Sequence, residues 1–121
     1  MARNQDTGRL AESTARDFLQ QNGMRLVEAN YHCPQGEIDL IMQDKDTTVF
    51  VEVRFRRNAT YGSGAESVDY RKRKKLLASA AHYLQRNPQA ANGKCRFDVV
   101  SMSADGDRMS LNWISNAFGI Y

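Results

Sequence analysis

The segment Gly36-Glu37-Ile38-Asp39-Leu40-Ile41, followed by Val51-Glu52-Val53-Arg54, constrains this chain more than any other stretch. Both read as strands of strong β-formers with carboxylates planted among them. Aspartate and glutamate are poor strand residues, and burying a carboxylate is costly without a charge partner or a metal. Asp39 and Glu52 therefore mark a site inside what is otherwise core, and a divalent cation is the ligand most easily held there.

Side chains alternate across a strand, so Glu37 and Asp39 share a face, as do Glu52 and Arg54. Val49, Val51 and Val53 then point the other way, into the core. The polar link Gln43-Asp44-Lys45-Asp46-Thr47 is short enough to make the two strands an antiparallel hairpin. In register, Asp39 and Glu52 converge from neighbouring strands. With the backbone carbonyl of Val53 and several waters they form an all-oxygen shell that suits magnesium. Such an ion polarises a phosphoryl oxygen and activates a water, while Arg54 offsets charge growing on the phosphate. Solvent-facing ion pairs across the strands are the competing reading of the same spacing.

The surrounding chain gives a domain to hold this hairpin. A helix is expected from about Asp6-Thr7, with Leu10, Ala11, Ala15, Phe18 and Leu19 on one face and a stop at Asn22-Gly23. Glu12 lies on that helix beside the apolar face. Arg25 to Tyr31 reads as a strand, with a turn at Pro34-Gln35-Gly36. A second helix is expected from Val68 to Arg86, with Leu76, Leu77, Ala80, Tyr83 and Leu84 inward and Asn87-Pro88 ending it. Strands follow over Arg96 to Met102 and Met109 to Ile114, then a short turn or helix through Asn116-Ala117-Phe118. The order α-β-β-β-α-β-β makes an α/β or α+β domain with helices packed on a mixed sheet. The 121 residues suffice for one such domain. Residues 1–7 are expected to be a flexible N-terminus and 58–67 a flexible loop around Tyr61.

Charge points to the partner. From Arg54 to Lys75 eight basic residues stand against Glu66 and Asp69, a net of +6, which leaves −3 elsewhere in a chain of net +3. A basic patch so concentrated is the footprint of a polyanion binder, and a solvated lysine-rich helix face is the bland alternative. Cys33 and Cys95 form no metal-binding cluster and read as free thiols of a cytoplasmic protein. No apolar run approaches the roughly 18 residues of a membrane span. His32 and His82 lack ligand-like neighbours and read as structural. Asp98 is expected to make a hydrogen bond or ion pair near the sheet, and Trp113 and Phe118 to be core.

Gly8-Arg9-Leu10-Ala11-Glu12, the GEIDLI and FVEVR strings, Arg96-Phe97-Asp98-Val99-Val100 and Asn116-Ala117-Phe118 together resemble the bacterial YraN-like family. That family is similar to archaeal Holliday-junction resolvases, within the PD-(D/E)xK nuclease superfamily of restriction-endonuclease-like folds. The resemblance runs from about Gly8 to Phe118. It implies that Glu12, Asp39, Glu52 and Arg54 are catalytic, with magnesium, or manganese in its place, as the cofactor. It implies that Lys72 contacts phosphate. Arg56, Arg57, Arg71, Arg73 and Lys75 complete the expected DNA-binding set. Glu37 belongs to the family string without a ligand role. DNA, perhaps branched, is the implied substrate, and a homodimer the implied assembly. Arg54 stands where the superfamily usually has lysine, and arginine holds its proton too tightly to pass it on. A DNA-binding module without turnover is therefore the rival reading. A protein-interaction domain with an acidic partner is the third.

Overall fold

The computed structural model describes residues 2–56 and 69–118. Helix α1 spans Ala2–Gln21 and buries Ala11, Ala15 and Leu19, one residue per turn. It begins before the expected Asp6-Thr7 start, because the alanine, arginine and glutamine upstream are good helix formers that let the turn continue. It stops where expected. Gly23 takes φ +93°, and Met24 N–H returns to Leu19 O at 3.1 Å.

Strands β1 (Arg25–Cys33), β2 (Gly36–Asp44) and β3 (Thr47–Arg56) form an antiparallel meander. The β2–β3 hairpin closes through Lys45-Asp46, with Lys45 at φ +54°. Helix α2 (Tyr70–Arg86) is capped by Asp69, whose carboxylate accepts from Lys72 N–H at 2.9 Å. Asn87 closes it, but Pro88 does not end the helical run. It opens a four-residue helix, α3 (Pro88–Ala91), because proline at the first helical position loses no needed N–H.

Strand β4 (Lys94–Asp105) pairs in parallel with β3, and β5 (Arg108–Phe118) returns antiparallel to β4. The sheet order is β1-β2-β3-β4-β5, with β3–β4 the sole parallel pair among the described residues. The molecule is α+β, a mixed sheet flanked by helices. One expected element differs: Asn116 to Phe118 is neither turn nor helix but the end of β5. The register slips between Phe97 and Val99, Asn116 adopts φ +55°, and its N–H donates to Asp98 Oδ1 at 2.9 Å. A side chain thus supplies the acceptor that a bulge removes from the ladder.

Parity sorts the core into two layers. Leu40, Met42, Val49, Val51, Val100 and Met102 pack with α1. Ile41, Phe50, Phe97 and Val99 pack on the other face with Leu76, Ala80 and Tyr83 of α2. Phe97 stacks on Phe118 at 4.8 Å between centroids, and Phe50 meets Tyr83 edge-on at 5.9 Å. The α2 layer comes close to the sheet at Gly36, where φ is +151° and a Cβ would stand 3.3 Å from Ser79 Oγ.

The fold also settles several single residues. His82 Nδ1 is hydrogen-bonded to the Tyr31 hydroxyl, a packing role. Cys33 and Cys95 are free thiols. Among the described residues no helix is long and apolar enough to cross a membrane. Arg57 and the 58–67 loop lie outside the described residues.

Candidate active site

The β2–β3 ladder ends at Leu40↔Val51, and the next pair in register is Asp39 with Glu52. There the backbone ladder gives way to a side chain: Val53 N–H donates to Asp39 Oδ2 at 2.8 Å. This bond fixes the aspartate against β3 and holds one of its oxygens. Valine parity is as the alternation requires, since Val49 and Val51 are buried in the α1 layer and Val53 packs against it. Glu52 follows Phe50 onto the α2 face, taking Arg54 with it.

On that face Glu52 is buried, with only 5% of its side chain exposed. Lys72 Nζ reaches its Oε1 at 3.4 Å and Arg54 Nη1 reaches the same oxygen at 3.8 Å. Lys72 gets there because it continues the inward stripe of α2, one turn before Leu76 and in line with Ser79 and Tyr83. Glu52 Oε2 is buried and has no hydrogen-bond partner among the described residues. A buried carboxylate oxygen left unmet costs free energy, so it is either strain or a ligand position.

Asp39 is the node between this pair and a second group. Oxygens of Glu12, Glu37 and Asp39 lie within 4.8 Å of one another, brought together by α1 and β2. Glu12 sits one residue past buried Ala11, at the edge where α1 meets the sheet. Asn30, on β1 with φ +54°, gives Glu12 a hydrogen bond. Burial and neighbouring carboxylates raise the proton affinity of Glu12, Asp39 and Glu52. Desolvation, then the charge of Asp39, pushes Glu52 up to about 7 against the pull of Lys72 and Arg54. Burial also raises Asp39, with the Val53 N–H working against it and Glu37 adding to it. Burial and then Asp39 raise Glu12. Groups held away from their preferred charge state in one cleft are a functional-site signature.

The structure therefore brings Glu12, Asp39, Glu52 and Arg54 to one end of the sheet and adds two residues to them. Glu37 joins the carboxylates, although the sequence reading gave it no ligand role. Its shared parity with Asp39 was the available signal; the approach of α1 was not. Lys72, expected at phosphate, is paired with Glu52. Of the other expected DNA contacts, Arg71 and Lys75 are exposed on α2. Arg73 lies over the Phe118 ring at 5.5 Å, and Arg56 ends β3 half-buried. Lys74, a neighbour in the patch, lies over the Tyr70 ring at 5.1 Å.

A divalent cation suits what these residues leave unmet. The donors are all oxygen, those of Glu12, Glu37 and Asp39 are crowded enough to repel one another, and Glu52 presents a buried oxygen with no hydrogen-bond partner among the described residues. Glu12, Glu37 and Asp39 are the described residues close enough together to hold it, whereas the pair expected from the sequence is Asp39 and Glu52.

Comparison with known proteins agrees with the YraN-like resemblance of the motifs. The model of the uncharacterised protein family UPF0102 matches residues 11–102. A UPF0102 protein of Stutzerimonas stutzeri is 49% identical over 118 residues, covering 98% of either chain. One from Ectopseudomonas mendocina is 50% identical over the same length and coverage. One from Nitrosococcus oceani is 44% identical over 119 residues, 98% of this chain and 96% of its own.

Proposed function

We propose that this chain, which belongs to the uncharacterised protein family UPF0102, is a magnesium-dependent endonuclease that hydrolyses phosphodiester bonds in DNA, branched DNA foremost. The observation that carries this reading is Glu52, a buried carboxylate with one oxygen drawn by two cations and the other without a hydrogen-bond partner among the described residues, next to Asp39. A purely structural carboxylate would have both oxygens satisfied. A bound magnesium ion would polarise the phosphoryl oxygen and lower the pKa of an attacking water.

The protein's own residues supply the rest. Asp39, held by Val53 N–H, and Glu52, held by Lys72 and Arg54, keep fixed positions without rearrangement. Arg54 and Lys72 stand at the rim, 31% and 39% exposed, where a phosphate can reach them. Their charge offsets that developing in the transition state. Arg71 and Lys75 face solvent along α2 and bind backbone phosphates, which position the duplex without reading its sequence.

The test uses labelled four-way, flapped and linear DNA in magnesium or manganese. Cleavage is expected in both, and loss of at least 100-fold in Asp39→Ala and Glu52→Ala, on the order seen when a transition-state contact is removed. Cleavage that survives both substitutions would sink this site. A second reading is favoured by Arg54 itself, an arginine in contact with Glu52 that cannot pass a proton at neutral pH. On that reading the protein binds junctions without cutting them, and Arg54→Lys restores turnover.

A further inference from the structure

The basic patch on α2 accounts for one side of the carboxylates. On the other side a cleft of about 210 Å³ lies between α1 and the β1–β2 strands, lined by Arg9, Glu12, Ser13, Arg16, Ala29, Asn30 and Leu40. We infer that this cleft is a phosphate subsite, in which Arg9 and Arg16 grip the backbone of the nucleic-acid strand on the far side of the carboxylates from α2. The inference rests on the DNA-directed reading above.

The spacing of the helix residues is the first support. Positions 9, 12, 13 and 16 fall at i, i+3, i+4 and i+7, which is one face of a helix. That face flanks the stripe that packs on the sheet and borders the cleft. Here it carries two guanidinium groups, a carboxylate and a hydroxyl, beside the buried stripe of Ala11, Ala15 and Leu19.

The second support is local order. Arg16 Nη2 donates to Ser13 Oγ at 3.2 Å, and Asp17 lies 3.4 Å away on its outer side. The serine restrains the guanidinium on the cleft face, since Ser13 lines the cleft and Asp17 does not. Arg9 is exposed and makes no ion pair among the described residues.

The lining decides the class of ligand. At about 210 Å³ and open to solvent, the cleft has room for a phosphate group. Among the described residues no aromatic lines it and its apolar floor is Ala29 and Leu40, which offer no platform for stacking a base. Glu12 belongs both to this cleft and to the carboxylate group, so a strand lying here passes directly to the site of chemistry. The two arginines then take phosphates on one side of the scissile bond while Arg71 and Lys75 take those on the other.

The experiment is fluorescence anisotropy of labelled four-way and single-stranded DNA over a salt series in EDTA, where no metal-dependent cleavage occurs. The variants are Arg9→Ala/Arg16→Ala and, as a control of equal charge change, Arg25→Ala/Lys45→Ala at the opposite end of β1 and β2. Each lost phosphate contact lowers the salt slope by about 0.9 on duplex DNA, so the first double variant should lose roughly 1.8 and the control nothing. Arg9→Lys/Arg16→Lys should keep most of the slope. Equal weakening in both double variants, or in neither, would overturn the subsite, as would wild-type protein that binds no DNA at low salt. Thermal melts separate lost contacts from lost fold. Cleavage in magnesium is scored separately: a wild type that binds but never cuts removes the nuclease reading and leaves this cleft standing.

Discussion

Asp98 and Glu52 are buried carboxylates on adjacent, parallel strands, and the molecule treats them in opposite ways. Asp98 is fully buried and saturated: it accepts from Arg96 Nε and Nη2, Trp113 Nε1 and the Asn116 N–H at 2.9–3.3 Å. Arg96 in turn reaches Asp44 on β2 at 3.1 Å, so the network ties β2, β4 and β5 together. Glu52 is drawn by two cations through one oxygen and, among the described residues, left unmet at the other. Burial alone does not mark a functional acid. What distinguishes the two is whether the fold completes the hydrogen bonding or leaves a place for something else.

The largest effect should come from breaking the saturated acid. Asp98→Ala leaves Arg96 with less compensation, Trp113 Nε1 without an acceptor and the β5 bulge uncapped. A loss of about 3–5 kcal/mol is expected in denaturant unfolding, as for a buried pair deprived of one partner. A loss below about 1 kcal/mol would mean that the network does not secure the bulge.

Glu52→Gln should act in the reverse direction and more weakly. Its carboxyl is shifted from 4.5 to about 7 in the folded state, so the folded protein binds the extra proton between these values. Stability from this group is therefore greatest below about pH 4.5 and falls as pH rises toward 7. The amide removes that penalty, and a gain of about 1–2 kcal/mol at pH 7.5 is expected, with no gain at pH 4. Urea midpoints at the two pH values measure it, and a gain that persists at pH 4 would contradict the charge argument. Magnesium should stabilise the wild type but not this variant, because a ligand that binds only the folded state adds to its stability.

The smallest effect belongs to Lys72→Ala. The lysine is 39% exposed and its ion pair is partly screened, so the expected stability change is within about 1 kcal/mol. Its loss should nonetheless raise the proton affinity of Glu52 further, moving the acid limb of any pH–rate profile upward. An unmoved limb would show that Arg54 alone governs that glutamate.

Much of this contrast was legible in the chain before folding. Period-two alternation assigned Val49 and Val51 to the core and paired Glu52 with Arg54, because strand geometry fixes those directions locally. The polar link made the hairpin, and the apolar stripes of α1 and α2 predicted which helical residues are buried. What stayed hidden depends on elements far apart in sequence. Glu37 becomes part of the carboxylate group only when α1 swings Glu12 over β2. Lys72 and Glu52 meet only when α2 docks, and the stretch from Asn116 to Phe118 continues as strand only because Asp98 receives its displaced N–H. Asn87-Pro88 predicts an ending, although the missing N–H of Pro88 is equally suited to a beginning.

The parallel seam between β3 and β4 has a kinetic consequence. Every other strand pair joins neighbours along the chain, whereas this one must close a loop running from Arg56 to Lys94. Long-range pairing is the slow part of folding, since loop entropy is lost before the contacts reward it. Glu12, Glu37, Asp39 and Glu52 all precede that loop, and Lys72 lies within it. The nascent acidic hairpin thus has only Arg54 as counter-charge until α2 brings Lys72, and a metal ion present during synthesis would hold those acids together in the interval.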